Sequence, residues 1–228
     1  MKLSNKILIG FFGFVLLYML LAFTEVRFRG DYKGWNKSNS KVESTPIDTV
    51  KYLVLKGLDQ QVKLSTSDQP RIELKSRSGA VLSKLEYETH GDTLVLERFA
   101  LEEHERVHLF VYVTPNDLAE IKVNKSSVVI SNLDQLSLSI TQSGGSVNME
   151  GNNKLGNMRI DASEKANFRA AGFSLDTLSV QLDHADIKFW SKVERLEGGM
   201  INQSHLLVKD PGDIQFKKDE SSRLRVVN

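Results

Sequence analysis

The amino-acid sequence predicts an all-β domain built as a single-stranded β-solenoid, preceded by one hydrophobic N-terminal helix. Three observations support this fold class. Apolar residues alternate with polar ones from Ile47 onward, which is typical of half-buried β-strands. A motif of about twenty residues recurs after Pro115. Glycine and asparagine, which tolerate the backbone conformations of tight corners, stand between the repeats.

The hydrophobic segment at the N-terminus runs from residue 7 to residue 23 and contains no charged side chain. As an α-helix it would be roughly 25 Å long, near the lower limit for crossing a bilayer. We therefore predict an uncleaved signal anchor in residues 1–23, with the membrane as a partner of residues 7–23. A cleaved signal peptide is the alternative, although Leu21–Thr24 makes a poor cleavage site. The rest of the chain would lie on the periplasmic or extracytoplasmic side.

Composition narrows the classes of function. Lys and Arg number 30 against 29 Asp and Glu, so the net charge of +1 gives no reason to expect nucleic acid as a partner. The absence of cysteine excludes a disulfide framework, a thiol nucleophile and Cys-ligated zinc. Polar residues dominate from residue 24 to residue 46, so we predict a linker there and the β-domain in residues 47–228.

The repeat consists of an apolar residue, two others, and then an alternating apolar pair. Its five copies are separated by 15, 22, 20 and 18 residues, and they begin at Leu118, Leu133, Leu155, Leu175 and Val193. One coil of a solenoid needs about this length, and each coil buries its apolar side only against its neighbours. We expect corners at Gly144–Gly145, Gly151–Asn153 and Glu197–Gly199. An antiparallel sandwich or barrel is the alternative architecture.

Two segments of the β-domain carry a resemblance to a known family. Gly91–Leu96 reads GDTLVL, and Val113–Val123 reads VTPNDLAEIKV. With the repeats that follow, they resemble the putative auto-transporter adhesin, head GIN domain family, over roughly residue 47 to the C-terminus. The resemblance implies a right-handed β-solenoid and export to the bacterial envelope, and it implies no established biochemical activity. Asn124–Ser127 departs from the family by lacking a glycine at this corner.

A zinc site is the first chemical possibility that the residues raise. His104–His108 reads HERVH and matches the HExxH motif in its letters. The motif functions on a helix, where both imidazoles share one face. Here the residues lead into a β-branched and aromatic run, and extended chain would separate the two histidines by about 13 Å. We therefore expect no metal and no cofactor.

A glycosidase-like pair of carboxylates is the second possibility, since Asp183 and Asp186 lie close in sequence. Glycoside hydrolysis needs two carboxyl groups about 5 to 10 Å apart. Alignment of the repeats puts no carboxylate in the rung above or below either residue. The aligned residues are Ser163 and Ile201 for Asp183, and Ala166 and Ser204 for Asp186. We therefore expect a solvated corner and no catalytic residues.

Trp190 is the one residue for which the sequence predicts a binding role. It alternates outward, whereas Phe168 and Phe189 hold the inward phase and belong to the core. We therefore predict a membrane-anchored, non-enzymatic envelope solenoid whose surface binds or adheres to envelope protein or glycan. The alternatives are a polysaccharide-processing β-helix enzyme and a self-assembling structural element. The sequence does not predict an oligomeric state.

Overall fold

A computed structural model of the chain describes residues 3–29, 40–102 and 105–227. Helix α1 (Leu3–Arg29) is one compact unit, and the β-strands from Ser40 onward form another. No helix in these three ranges combines the length and the apolar character that crossing a bilayer requires. The predicted membrane-spanning helix of residues 7–23, and its role as a signal anchor, are therefore not supported. Residues 30–39 of the predicted linker and His104 lie outside the described residues.

Seventeen strands within the described residues form one continuous hydrogen-bonded sheet. A 3-10 turn at Leu82–Lys84 lies between the fourth and fifth strands. The first nine strands are β1 (Lys41–Pro46), β2 (Tyr52–Lys56), β3 (Val62–Thr66), β4 (Arg71–Ser76), β5 (Leu85–His90), β6 (Thr93–Phe99), β7 (Val107–Val113), β8 (Glu120–Asn124) and β9 (Ser127–Ser131). The remaining eight are β10 (Asp134–Ser143), β11 (Ser146–Glu150), β12 (Lys154–Ser163), β13 (Asn167–Asp183), β14 (Asp186–Ile201), β15 (His205–Lys209), β16 (Pro211–Lys218) and β17 (Arg223–Val227).

The strands stack in two parallel ladders that enclose one hydrophobic core. Ladder A contains β6, β2, β8, β10, β12, the second halves of β13 and β14, and β16, in this spatial order. Ladder B contains β7, β3, β9, β11, the first halves of β13 and β14, β15 and β17. One strand from each ladder makes a rung, and from β8 onward about six rungs follow in chain order. This stacking confirms the predicted solenoid.

The first rungs depart from chain order. Strands β2 and β3 lie between the rung of β6 and β7 and the rung of β8 and β9. Three antiparallel strands extend this end: β4 pairs with β7, β1 pairs with β4, and β5 pairs with β6. Residues 41–46, which the sequence assigned to the linker, are therefore a strand of the β-domain. No residue of β1 is buried, so the strand needs no alternating apolar side chains and is held by antiparallel pairing with β4.

The core consists of columns of inward side chains, one from each rung. Ile121, Ile140 and Ile160 occupy successive positions in ladder A and are fully buried. In ladder B the rings of Phe168 and Phe189 are fully buried and parallel, with their centroids 6.5 Å apart. Each such ring contributes roughly 1.5–3 kcal/mol by leaving water. The prediction that both phenylalanines point inward is confirmed.

From β8 onward, the corner that joins ladder A to ladder B recurs in every rung and sets the register. In all of these rungs but the last, it contains one or two residues with positive φ, which are Lys125, Gly144 and Gly145, Glu164 and Lys165, His184, and Asn202 and Gln203. Its last residue is always small: Ser126, Gly145, Ala166, Ala185, Ser204 and Ser222 in successive rungs. Small residues are needed because the rungs approach closely here. The predicted corners at Gly144–Gly145 and Gly151–Asn153 are confirmed.

The prediction of a corner at Glu197–Gly199 is wrong, because these residues lie inside β14. Gly198 occupies an inward position with φ of +122°, and a Cβ there would lie 1.9 Å from the carbonyl oxygen of Val180. The glycine permits a close approach of two strands and not a turn. The repeat beginning at Leu133 is also out of register with the repeat beginning at Leu155, because Gln135, and not Leu133, pairs with Leu155. This shift explains the uneven spacings of 15 and 22 residues.

The corner constraint predicts that Gly145→Ala destabilises the protein far more than Gly91→Ala. Both glycines have positive φ, +69° and +57°. A Cβ at Gly145 would lie 2.2 Å from the carbonyl oxygen of Ser126, whereas one at Gly91 meets nothing within 4 Å. We expect about 1 kcal/mol for Gly91→Ala from the backbone conformation alone. We expect at least about 3 kcal/mol for Gly145→Ala, because backbone must also move. Urea unfolding curves measure both, and equal losses would contradict the constraint.

Candidate functional site

Trp190 lies on β14, on the outer surface of ladder B. Its side chain is 47% exposed, and no aromatic or cation contact to its ring is found among the described residues. In the next rung toward the N-terminus it faces Ala171, beside a break in strand register between Ala171 and Ser174. The small neighbour leaves one face of the indole accessible. Trp190 is therefore outward and uncovered, as its phase in the sequence predicts.

Basic side chains surround Trp190 on the same surface. Lys188 precedes it by two residues on β14, and Arg169 is the partner of Lys188 in the preceding rung. In the following rungs, Leu207 pairs with Lys188 and Arg225 pairs with Leu207. Successive rungs are about 4.8 Å apart, so the cations follow the solenoid axis at short intervals. Lys209 follows Val208, the partner of Phe189 in the following rung, and so lies beside Trp190. We call Trp190, Arg169, Lys188, Lys209 and Arg225 the basic–aromatic patch.

The charges of this patch are mostly uncompensated. Lys188 lies 3.6 Å from Asp186, and both side chains are 39% exposed. Within the described part of the chain, Arg169, Lys209 and Arg225 have no carboxylate within 4.0 Å. Glu150 on β11 accepts a hydrogen bond from the Asn148 side chain. The patch therefore carries a local positive charge on a nearly neutral chain.

Other outward aromatic residues of ladder B are covered by the protein itself. Phe110 and Tyr112 on β7 are stacked on each other, with their ring centroids 6.2 Å apart. Arg71 lies 4.0 Å from the Tyr112 ring centroid, and Lys75 lies 4.8 Å from that of Phe110. Both cations also pair with Glu73. This cluster is satisfied internally, so it does not offer the free ring and free cations that surround Trp190.

An exposed indole beside several unpaired cations can bind a particular kind of ligand. The ring offers an apolar face for stacking on a flat or cyclic group. The lysine and arginine side chains offer charge-assisted hydrogen bonds to phosphate, sulfate or carboxylate oxygens. None of these groups is placed to act as a nucleophile or a general base. The geometry of the patch therefore suits recognition of an anionic ligand.

A groove on the outer surface of ladder A is the main alternative site. It crosses the last rungs, and its floor lies at Gly199, where the outward row has no side chain. Polar and charged side chains line it, including Asp161, Gln181, Asp183, Lys217 and Asp219. Three carboxylates in one groove are the feature expected of a polysaccharide-processing enzyme. Their hydrogen bonds show whether they are available for that chemistry.

Each of these carboxylates is held by the protein. Asp161 accepts a 3.0 Å hydrogen bond from Arg159, and Asp183 accepts one of 2.7 Å from the Asn202 side chain. Hydrogen bonds from Ser222, from the backbone N–H of Asn202 and from Ser221 lower the pKa of Asp219 to about 2. A general acid in glycoside hydrolysis needs a raised pKa. Asp219 is shifted in the opposite direction and stabilises a corner.

The remaining candidates from the sequence lie apart from one another. Asp183 pairs with Ser163 and Ile201, as predicted. Asp186 pairs with Asn167 and His205. The predicted partners Ala166 and Ser204 are therefore wrong by one residue. The reason is that the corner at His184–Ala185 has two residues, whereas those on either side have three.

The structure describes residues 105–108 of the histidine motif. His108 lies on β7 with its backbone paired to Lys75 of β4, in a strand and not on a helix. Among the residues described here, no group of three or more His, Asp or Glu side chains could hold a metal ion. The motif therefore lacks the helical frame that HExxH chemistry uses.

Sequence reasoning missed the basic residues around Trp190. Arg169, Lys188, Leu207 and Arg225 follow one another at spacings of 19, 19 and 18 residues. This regularity becomes visible only once the register of ladder B is known. The signal was therefore present in the sequence, but it could not be separated from charges on other surfaces.

Comparisons with known proteins agree with this architecture. Residues 55–210 match the family described as putative auto-transporter adhesin, head GIN domain. The chain also resembles the crystal structure of a putative adhesin from Parabacteroides merdae, with a TM-score of 0.53 and 14% identity over 83% of this chain and 97% of the other. A putative lipid binding protein from Parabacteroides distasonis gives a TM-score of 0.52 and 15% identity, with the same coverage. A putative adhesin from Bacteroides fragilis gives 0.55 and 8% identity, over 82% of this chain and 97% of the other. At these identities the likeness concerns the fold, and no curated protein sequence matches the chain.

The structural role of Asp219 predicts the pH dependence of an Asp219→Asn variant. Because the pKa is lowered from 3.8 to about 2, the carboxylate stabilises the fold above pH 4, and this contribution is lost as the pH falls toward 2. Asp219→Asn should therefore be less stable than the wild type at pH 7, and the difference should shrink between pH 4 and pH 2. Unfolding curves at several pH values measure this difference. Asp68→Asn is the control, because Asp68 is exposed and its side chain has no hydrogen bond or ion pair within the described residues. A variant more stable than the wild type at pH 7 would contradict the structural role.

Proposed function

Because the chain belongs to the putative auto-transporter adhesin, head GIN domain family, we propose that it is a non-enzymatic binding domain of the cell envelope. The observation that carries this proposal is the basic–aromatic patch, where the exposed Trp190 lies among cations of which only Lys188 has an acidic partner within the described residues. The solved structures of similar fold include proteins described as adhesins and as a lipid binding protein. These descriptions support a binding role on the extracytoplasmic side, which we propose for this chain as well.

The chemistry of the patch favours an anionic saccharide as the ligand. A sugar ring has an apolar face that stacks on an indole, and Trp190 offers one accessible face. Along the solenoid axis, Arg169 lies one rung before Lys188, and Arg225 lies two rungs after it, with Leu207 between them. A chain of sugars that carries phosphate, sulfate or carboxylate groups would meet these cations in succession. Such a saccharide can be free or can form the headgroup of a glycolipid.

A polysaccharide-processing activity is the second candidate, and the three carboxylates in the groove of ladder A favour it. Their hydrogen bonds to Arg159, Asn202 and Ser222 weigh against it. The two functions use opposite surfaces of the domain. Two independent measurements can therefore separate the two functions. Binding of a polysaccharide tests the patch, and release of new reducing ends from the polysaccharide tests the groove.

The proposal predicts that Trp190→Ala weakens binding to a sulfated polysaccharide. Calorimetry with dextran sulfate should show a Kd about ten times higher for the variant, equal to a loss of about 1.4 kcal/mol. Neutral dextran should bind weakly to both proteins, because it lacks the anions that the cations recognise. Binding should also weaken with added salt, since the patch is exposed. Phe110→Ala is the matched control, because this aromatic side chain is on the same ladder and is already covered by Lys75.

Additional experiments test the role of charge and the source of the saccharide. Arg169→Gln should weaken binding, whereas Lys122→Gln on ladder A should not. Vesicles with and without a lipid-linked anionic saccharide distinguish a glycolipid headgroup from a free polymer. Binding that is unchanged in Trp190→Ala, or equal binding of neutral dextran, would overturn the proposal. Release of new reducing ends from the polymer would favour the enzymatic alternative.

A further inference from the structure

The C-terminal end of the solenoid leaves its core partly uncovered. Strands β16 and β17 form the last rung, and within the described residues they pair only with β14 and β15. Ile214 is 41% exposed and Val226 is 42% exposed, although both hold inward positions. Their equivalents one rung earlier, Leu196 and Val208, are fully buried. The last rung therefore has apolar inward side chains like those of an interior rung, but no rung in the described part of the chain covers its outer side.

The opposite end of the solenoid differs, because its core is closed. Val81, Leu85 and Phe99 are buried there, at 0%, 5% and 9% exposure. Antiparallel strands β1, β4 and β5 extend the sheet at this end. The strands nearest the solvent carry Pro46 and several charged side chains, which hinder pairing with another chain. Only the C-terminal end therefore resembles an unfinished interface.

The backbone of β16 presents regular hydrogen-bonding groups at this open edge. In each rung the outward residues bond to the preceding rung, as Ser139 does to Ala119 and Asp219 does to Met200. Residues of a parallel strand direct both backbone groups to one neighbour, and successive residues alternate between the two sides. Ile214 and Phe216 therefore direct their N–H and C=O groups away from β14. These are the groups that an added strand would bond.

The charges along β16 are complementary to those of an antiparallel copy of the same strand. Asp213, Gln215 and Lys217 occupy the outward positions. When two copies run antiparallel about Gln215, Asp213 lies opposite Lys217 of the second copy. Ile214 then lies opposite Phe216 of the second copy, and these two form hydrogen-bonded pairs through their open backbone groups. Charge, apolar contact and backbone bonding agree in this single register.

We infer that a second copy of this chain docks on the open edge, with its β16 antiparallel to the first and centred on Gln215. The contact covers Ile214 and Phe216 and pairs Asp213 with Lys217 twice. Strand β17 carries Arg223 and Arg225 without an acidic residue, so its edge is not self-complementary. Because the other end is capped, the assembly closes as a twofold dimer and does not extend into a fibre. This surface lies apart from Trp190, so the inference does not depend on the proposed function.

The test is sedimentation velocity of the full chain over a range of concentrations. The wild type should change from monomer to dimer as concentration rises. Lys217→Asp and Asp213→Lys should each raise the dissociation constant about ten-fold or more, since each places like charges opposite each other. The double variant Asp213→Lys with Lys217→Asp restores both opposite-charge pairs and should recover the wild-type dissociation constant. Association through any other surface, helix α1 included, would not respond in this way.

Two controls keep the result specific. Glu197→Lys reverses a charge one rung earlier, at the position that pairs with Gln215, and should leave the dimer unchanged. Urea unfolding midpoints of the single variants should match the wild-type monomer, so that loss of the dimer is not loss of fold. A wild type that stays monomeric, or forms open-ended oligomers, would overturn the inference. Failure of the double variant to recover would overturn the assigned register.

Discussion

The fold depends on one constraint, which is the close stacking of rungs at the corner between ladders A and B. From β8 onward, each rung turns there within two to four residues and ends on a small side chain, from Ser126 to Ser222. Ser126 donates to the carbonyl of Asn124 and accepts from the N–H of Leu58, and Ser204 accepts from the N–H of Ala185. These bonds satisfy backbone groups that would otherwise be buried without a partner. A larger side chain would separate the rungs and break the hydrogen bonds of both ladders.

The same constraint creates the outer surfaces. Because the corner fixes where each strand begins, residues about 19 positions apart lie in line on the outside of ladder B. Arg169 and Lys188 are adjacent for this reason, although nothing in their local sequence relates them. The inward columns are occupied by residues that the core requires, whereas the outward rows are free to vary without loss of burial. A solenoid can therefore acquire a patch such as that around Trp190 at little cost in stability.

Periodicity in the sequence was sufficient for the strands and the core, but not for the order and exact register of the rungs. The alternation at Leu109–Val113 and the inward phase of Phe168 predict buried strand positions, and both are observed. Strand β1 was missed because its residues lack alternating apolar side chains and depend on antiparallel pairing with β4. The placement of β2 and β3 between later rungs leaves no trace in the repeat. Corners of unequal length shifted Asp186 by one position.

The binding surface was harder to predict than the fold, and the reason is physical. A single residue such as Trp190 can be assigned to the outside from its phase, since one position along a strand decides the face. Its neighbours across the sheet depend on register, where an error of one residue replaces an outward side chain with an inward one. Glycine adds to the difficulty, because Gly144 and Gly198 both have positive φ but one makes a corner and the other a close contact between strands. The chemistry of the residues does not distinguish these two uses.

Position along the solenoid connects the two surfaces that we assign. The patch ends at Arg225, which belongs to the last rung, and the open edge of the same rung is β16. A terminal rung has a neighbour on one side only, so its stability depends on that single interface. Covering the edge with a second copy would add the missing interface and hold Arg225 in place. Ligand binding and dimer formation would then favour each other by mass action, because both require the last rung to be folded. This coupling between ligand binding and dimer formation needs no change from one folded conformation to another, since both depend on the same weakly stabilised last rung.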